Sequence, residues 1–291
     1  MPVKKDDEGR RYVQAEVEVP GSPEEVWEAI ATAKGISSWF VPTRSDEREG
    51  GEVVNSFGPG MDSVAKITSW DPPHSFSAES EGGPGSIATE WIVEGRRGGQ
   101  CVVRVVHRWF ADSDDWDGEF EGHAYGWAAS FFRILRLYLT HFSGEACSAF
   151  DLAGFRSASP PQTWATFTAA LEIDREAGRV SAREGTPELA GTIESLEVTD
   201  PELLAARETA PQIRAALEGM EGEDPELLLT LERPAPGLMH VFSMAMGDQT
   251  MISVRVFLYG DEGVRSARPM KAAWREWLAR DFSPEPLGQA E

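Results

Sequence analysis

His107 is the polar residue whose placement most invites a chemical reading. In the run from Cys101 to Phe110, Arg104 and Arg108 alternate with Cys101, Val103, Val105, His107 and Trp109. The arginines belong in water, so a strand here turns His107 and Trp109 inward. An inward histidine among tryptophans can orient a ligand or act as a base. The competing reading is a core histidine hydrogen-bonded to a neighbour. Trp91 and Trp127 are expected to share its surroundings. His123 lies near the start of the following helix and reads either as an exposed helix residue or as a residue at the mouth of a cavity there.

The aromatic candidates for a binding wall are Trp39, Phe40, Trp70, Phe76, Trp91, Trp109, Trp127, Phe131 and Tyr138, with His107 as the polar member. Aromatic walls bearing few polar groups suit an apolar ligand. The same residues serve plain core packing equally well. The acidic run Asp112, Asp114, Asp115, Asp117, Glu119 and Glu121 lacks the glycine and spacing of a calcium-binding hand. It reads as a solvated loop with acids near a helix N-terminus. No histidine pair has zinc spacing, there is no Cys-x-x-Cys, and no phosphate-cradling glycine loop or G-x-S-x-G elbow is present. Neither a metal nor another cofactor is therefore expected. NTPase, dehydrogenase, zinc-enzyme and serine-hydrolase readings are disfavoured.

The element that must position these residues is Asp117 to Phe142. Phe120, Ala124, Trp127, Phe131, Leu135, Tyr138 and Phe142 recur at steps of three or four, which predicts a long amphipathic helix with one aromatic face. Before it, alternation predicts a strand over Tyr12–Val19. Ser22, Pro23 and Glu25 predict a capping box opening a helix that carries Val26, Trp27 and Ile30 inward. A short helix is expected over Gly35–Trp39. Strands follow at about Glu52–Phe57, Ser63–Trp70, Phe76–Glu79, Ile87–Glu94 and Cys101–Phe110, separated by Gly- and Pro-rich breaks that favour antiparallel pairing.

Four stretches, "SPEEVWEAI" (Ser22 to Ile30), "GISSWFVP" (Gly35 to Pro42), "KITSWDPPHSFSAE" (Lys66 to Glu79) and "YGWAASFFRILRLYL" (Tyr125 to Leu139), occur in this order. Together they resemble the START/Bet v 1-like (SRPBCC) superfamily. The nearest likeness within it is to the homologues of the activator of heat-shock protein 90 ATPase. The resemblance implies an α+β helix-grip fold, a curved antiparallel sheet wrapped on a long C-terminal helix. It also implies a cavity between them.

The second half repeats the order of elements. Strands are expected at Ser148–Phe155, Arg179–Arg183, Leu189–Val198, Glu226–Glu232, Leu238–Met246 and Thr250–Tyr259, with helices at Gln162–Ile173 and Ala267–Phe282. Gly247-Asp248 predicts a hairpin turn. The chain is thus expected to hold tandem helix-grip domains acting as an internal pseudo-dimer. Residues 1–10 form a flexible lead, 11–144 the first domain, 145–283 a diverged second domain and 284–291 a tail. An insertion is expected near 199–224, where "DPELLAARE" is nearly repeated as "DPELLLTLE" and Ala210–Glu218 looks helical.

Composition bounds the partners. The 291 residues carry 27 basic and 49 acidic side chains, a net charge of -22. Such a surface repels phosphates, so nucleic acid is not expected as a partner. Two cysteines far apart, no apolar leader at Met1 and no apolar run of spanning length give the expectation of a reduced cytoplasmic protein with no membrane span. The function these readings imply is non-catalytic holding of a small apolar molecule, such as a lipid, polyketide or aromatic metabolite. A polyketide cyclase/aromatase using His107 to move protons, and a chaperone-type module with a protein partner, stay open beside it.

Overall fold

The computed structural model describes residues 3–6, 9–57, 62–82, 85–109, 116–194 and 226–285. They fall into two compact units, with the break between Gly144 and Glu145.

The first unit begins with β1 (Lys4–Lys5) and β2 (Arg11–Pro20). The lead was expected to be loose, but Lys4 pairs with Tyr12 and Lys5 with Arg11. In β2 the alternation holds, with Val13, Ala15 and Val19 buried and Glu16 and Glu18 exposed. Helix α1 (Pro23–Ala31) opens on the expected capping box: the Glu25 amide donates to Ser22 Oγ at 3.3 Å and the Ser22 amide to Glu25 Oε2 at 2.8 Å. Helix α2 (Ala33–Ser37) is capped by Thr32, whose hydroxyl accepts from the Gly35 amide at 3.0 Å.

Then come β3 (Thr43–Ser45), β4 (Glu52–Ser56), β5 (Asp62–Asp71), β6 (Ser75–Gly82), β7 (Gly85–Arg96) and β8 (Gln100–Trp109). All pair antiparallel, in the order β1-β2-β8-β7-β6-β5-β4-β3. The short β3 was not foreseen. It carries no apolar alternation and is placed by pairing with β4, Thr43 facing Asn55.

The outer face of the sheet is marked by ion pairs. Arg104 meets Glu16 at 3.1 Å and Glu94 at 3.2 Å, and Arg108 meets Glu90 at 2.6 Å. Such pairs add little stability. They do fix which side of β7 and β8 faces water, because a one-residue slip would bury them. The opposite face carries Trp91, Val93, Val103 and Val105, all buried.

The long helix is not uniform. It runs as α3 (Asp117–Gly126), a π-helical turn (Trp127–Phe131) and α4 (Phe132–His141). Arg11 of β2 pairs with Asp117 at its start, and α4 packs on β2.

The second unit comprises β9 (Cys147–Arg156), α5 (Pro160–Thr168), β10 (Leu171–Asp174), β11 (Arg179–Ala182), β12 (Ala190–Ile193), β13 (Glu226–Arg233), β14 (Gly237–Met246), β15 (Gln249–Tyr259) and α6 (Gly260–Leu278). Its sheet order is β10-β11-β12-β13-β14-β15-β9. As β2 lies beside β8 in the first unit, β9 lies beside β15 here, and in both the remaining strands follow outward in descending order. Both units therefore have helix-grip wiring, each an antiparallel sheet with a closing helix.

Two expected elements change. The helix after Ser159 stops at Thr168 instead of Ile173, and Leu171–Asp174 is a strand. Leu171 and Ile173 alternate there with Glu172 and Asp174, so the period of two wins over helical continuity. The closing helix begins at Gly260 instead of Ala267 and includes Pro269. Gly260, at φ +68, turns the chain out of β15. Asp261 and Glu262 then suit the positive end of the helix. Phe282 lies past the helix end yet is buried, held where Ser283 bridges to Phe155. The expected turn at Gly247 is present, with φ +64. The expected insertion near 199–224 lies outside the described residues, as do Asp112, Asp114 and Asp115 of the acidic run.

Gly35 tests the α1–α2 corner. A Cβ there would lie 1.8 Å from the Glu28 carbonyl oxygen, so backbone must move to admit it. Gly35→Ala is expected to cost the first unit about 2 kcal/mol or more, the range of core overpacking. A lowered denaturation midpoint in urea checks this.

Candidate functional site

The sheet and long helix of the first unit enclose a cavity of about 570 Å³. Two secondary-structure periods build its walls. Along β7 and β8 every second residue points in, which brings Thr89 and Trp91 beside His107. On the helix, Gly122, Gly126, Trp127 and Phe131 face the same space. The π turn is wider than an α turn, and Trp127 and Phe131 at its two ends both line the cavity.

Trp127 is the centre of the aromatic wall. Its ring lies 4.8 Å from Phe40, 5.1 Å from Trp91 at 90°, 5.2 Å from Phe131 and 6.4 Å from Trp39. Trp39 is pinned by donating its indole N–H to the Ala29 carbonyl at 2.9 Å. Phe76 stacks on Trp91 at 6.3 Å, and Trp70 adjoins Phe76 at 5.5 Å.

His107 is held from both sides. Trp127 Nε1–H donates to His107 Nε2 at 2.9 Å. Nε2 must therefore carry the lone pair, which leaves the proton on Nδ1. That N–H donates to Thr89 Oγ1 at 3.0 Å. Burial pushes the His107 pKa down to about 3, with the neighbouring His123 ring adding to the effect. The ring is thus neutral across the ordinary pH range, and its basic nitrogen is already engaged. His123 is exposed at the mouth, 6.5 Å from His107 between ring centres. Burial of its ring lowers its pKa, with Glu119 opposing.

Of the ten candidate residues, eight line the cavity: Trp39, Phe40, Trp70, Phe76, Trp91, His107, Trp127 and Phe131. Trp109 and Tyr138 do not. Trp109 does face inward, but Phe120 of α3 covers it completely, stacked at 3.7 Å and 8°. Tyr138 lies on α4, two turns beyond Phe131, and is buried.

Sequence reasoning missed the polar lining, Ser45, Asn55, Ser63 and Ser80, and the glycines Gly122 and Gly126. A signal existed for some of these. Ser63 is in phase with Ala65 and Ile67 on β5, and the glycines are four apart in phase with the helix's cavity face. The π turn has no comparable sequence mark.

In the second unit the corresponding space between sheet and closing helix holds Trp164, Phe167 and Trp274, each almost fully buried. Phe167 stacks on Trp274 at 6.0 Å, and Trp277 abuts Trp274 at 5.5 Å.

Residues 10–136 match the family described as polyketide cyclase / dehydrase and lipid transport. The match lies within the first unit, whose wiring is that of the START/Bet v 1-like (SRPBCC) helix-grip fold, and the second unit shares this wiring. No curated protein shows a significant sequence match to the chain.

Similar solved structures include the di-domain ARO/CYC BexL from the BE-7585A biosynthetic pathway, at 14% identity and TM-score 0.44, covering 95% of this chain and 100% of that one. DynU16, a protein of the dynemicin biosynthetic locus, is 17% identical with TM-score 0.40, covering 92% and 95%. The Aha1 dimer protein of Colwellia psychrerythraea is 19% identical with TM-score 0.39, covering 46% and 98%. Among the described residues no helix is long and apolar enough to cross a membrane.

The His107 geometry predicts a pH signature. The folded pKa lies below the ordinary 6.5. The unfolded state therefore binds more protons between pH 6.5 and about 3, and stability contributed by this group is full above 6.5 and falls as pH drops through that window. Ring nitrogen NMR should find His107 as the Nδ1–H tautomer down to about pH 4. A His107 signal titrating near 6.5 would contradict the assignment.

Proposed function

We propose that the first unit is a binding module that holds a small apolar molecule, a lipid, polyketide or aromatic metabolite, between its sheet and its long helix without reacting it. The observation that carries this reading is the state of His107. A catalytic base needs a free lone pair and a pKa near the working pH. His107 has its lone pair engaged by Trp127 and a strongly lowered pKa. No aspartate, glutamate, lysine or arginine stands in for it among the described lining residues. The volume and aromatic walls fit a small-molecule pocket. The filled interior of the second unit supports a mainly structural role for it, and the acidic surface supports a partner that is not nucleic acid.

A second reading, a polyketide cyclase, is favoured by the description of the matching family. It requires a bound substrate to take His107 Nε2 away from Trp127. A cyclisation assay in which activity is present and lost in His107→Ala would support the enzyme over the binding module.

The binding reading is tested with N-phenylnaphthylamine, a neutral fluorescent probe. A Cβ on Gly126 meets only Phe131, at 3.9 Å, so Gly126→Leu adds volume beside the cavity without disturbing the helix. Gly126→Leu and Trp127→Ala are each expected to weaken probe binding at least tenfold, about 1.4 kcal/mol. Unchanged affinity in both variants would remove the cavity as the binding site.

A further inference from the structure

The cavity has an axis, and the axis is chemical. Strand register ranks its layers. Phe76 opposite Trp91 forms one layer. Ala78, Thr89 and His107 lie side by side in the next. Ser80 opposite Ile87 comes after, and Asn55 opposite Ser63 ends the series. The lining thus passes from aromatic to hydroxyl and amide along the strands.

The Asn55–Ser63 end is also the open end, where the exposed members of the lining are Phe57, Ser63 and His123. Asn55 is tied to the neighbouring strand through Oδ1, 2.8 Å from the Thr43 hydroxyl.

Every polar group in this series is uncharged. Alternation puts the charged residues of β7 and β8 on the other side of the sheet, where Arg104 and Arg108 pair with glutamates. The two titratable groups of the described lining are His107, whose charged form burial disfavours, and His123, which is exposed at the mouth. An ion drawn below the mouth would lose its hydration and find no counter-charge.

We infer that the cavity selects an uncharged ligand, with an apolar ring system in the aromatic end and a neutral hydroxyl or carbonyl group toward the mouth, and rejects carboxylates, phosphates and ammonium ions of the same size. This rests on the binding-module reading and adds a specificity to it. The aromatic wall alone would also suit a cation held against ring faces, so the ammonium case is part of the test.

Three fluorescent probes of matched shape make the test at neutral pH on the full chain: anthracenemethanol, anthracenecarboxylate and anthracenemethylamine. Displacement of N-phenylnaphthylamine ties each to the cavity. The alcohol is expected to bind at least tenfold more tightly than either ion. A smaller gap against either ion overturns the inference while leaving the binding reading intact. If none of the three displaces bound N-phenylnaphthylamine, the inference falls and the binding reading stands; if N-phenylnaphthylamine itself does not bind, both fall. Ser63→Arg adds a cation at the mouth, and its fold is checked by circular dichroism. It should shift the carboxylate-to-alcohol affinity ratio at least tenfold toward the carboxylate. An unmoved ratio in the folded variant would mean that the neutrality of the lining does not set the preference.

Discussion

The first unit depends on a relay of two hydrogen bonds that crosses its cavity, from the Trp127 indole through the His107 ring to the Thr89 hydroxyl. It ties the long helix to the centre of the sheet at the point where apolar packing between them is interrupted. A buried hydrogen bond of this kind contributes roughly 1 kcal/mol net, but leaving a buried partner unmet costs about 1–3 kcal/mol. The relay therefore constrains more than it stabilises. It fixes the ring orientation of Trp127, which sets the faces presented by Phe40, Trp91 and Phe131. It also engages both ring nitrogens of the histidine.

One wiring diagram serves two interiors. Both units place their first long strand, β2 or β9, beside the last strand and close with a helix. In the first, the helix widens into a π turn over small lining residues such as Gly126, Ala65 and Ala78, and a cavity results. In the second, Trp164, Phe167 and Trp274 fill the space. Hollow or solid is decided by side-chain volume at a few facing positions, so fold alone does not assign function to either unit.

Much of the architecture was legible in the sequence. The β2 alternation, the Ser22–Glu25 capping box and the phase of β8 were readable because solvent polarity marks one face of each element. His107 was placed inward on the strength of Arg104 and Arg108 alone. The errors have physical causes. Leu171–Asp174 is too short for its period to outweigh the helix before it. Gly260–Ser266 has few apolar residues to announce a helix. Trp109 faces inward as expected, but whether an inward residue lines a void or is covered depends on Phe120, which lies in a different element. A protonation state depends on such partners too. The sequence presents His107 as a base or a core residue, and it gives no sign that Trp127 Nε1 donates to its ring.

The most direct measurement is native mass spectrometry of the full-length protein, repeated on the same sample after denaturation. The account predicts one small molecule per chain, visible as a mass excess that disappears on unfolding. It predicts this either in the freshly purified protein or after saturation with a panel of neutral polycyclic and lipid compounds. An apo mass alone under both conditions would contradict it.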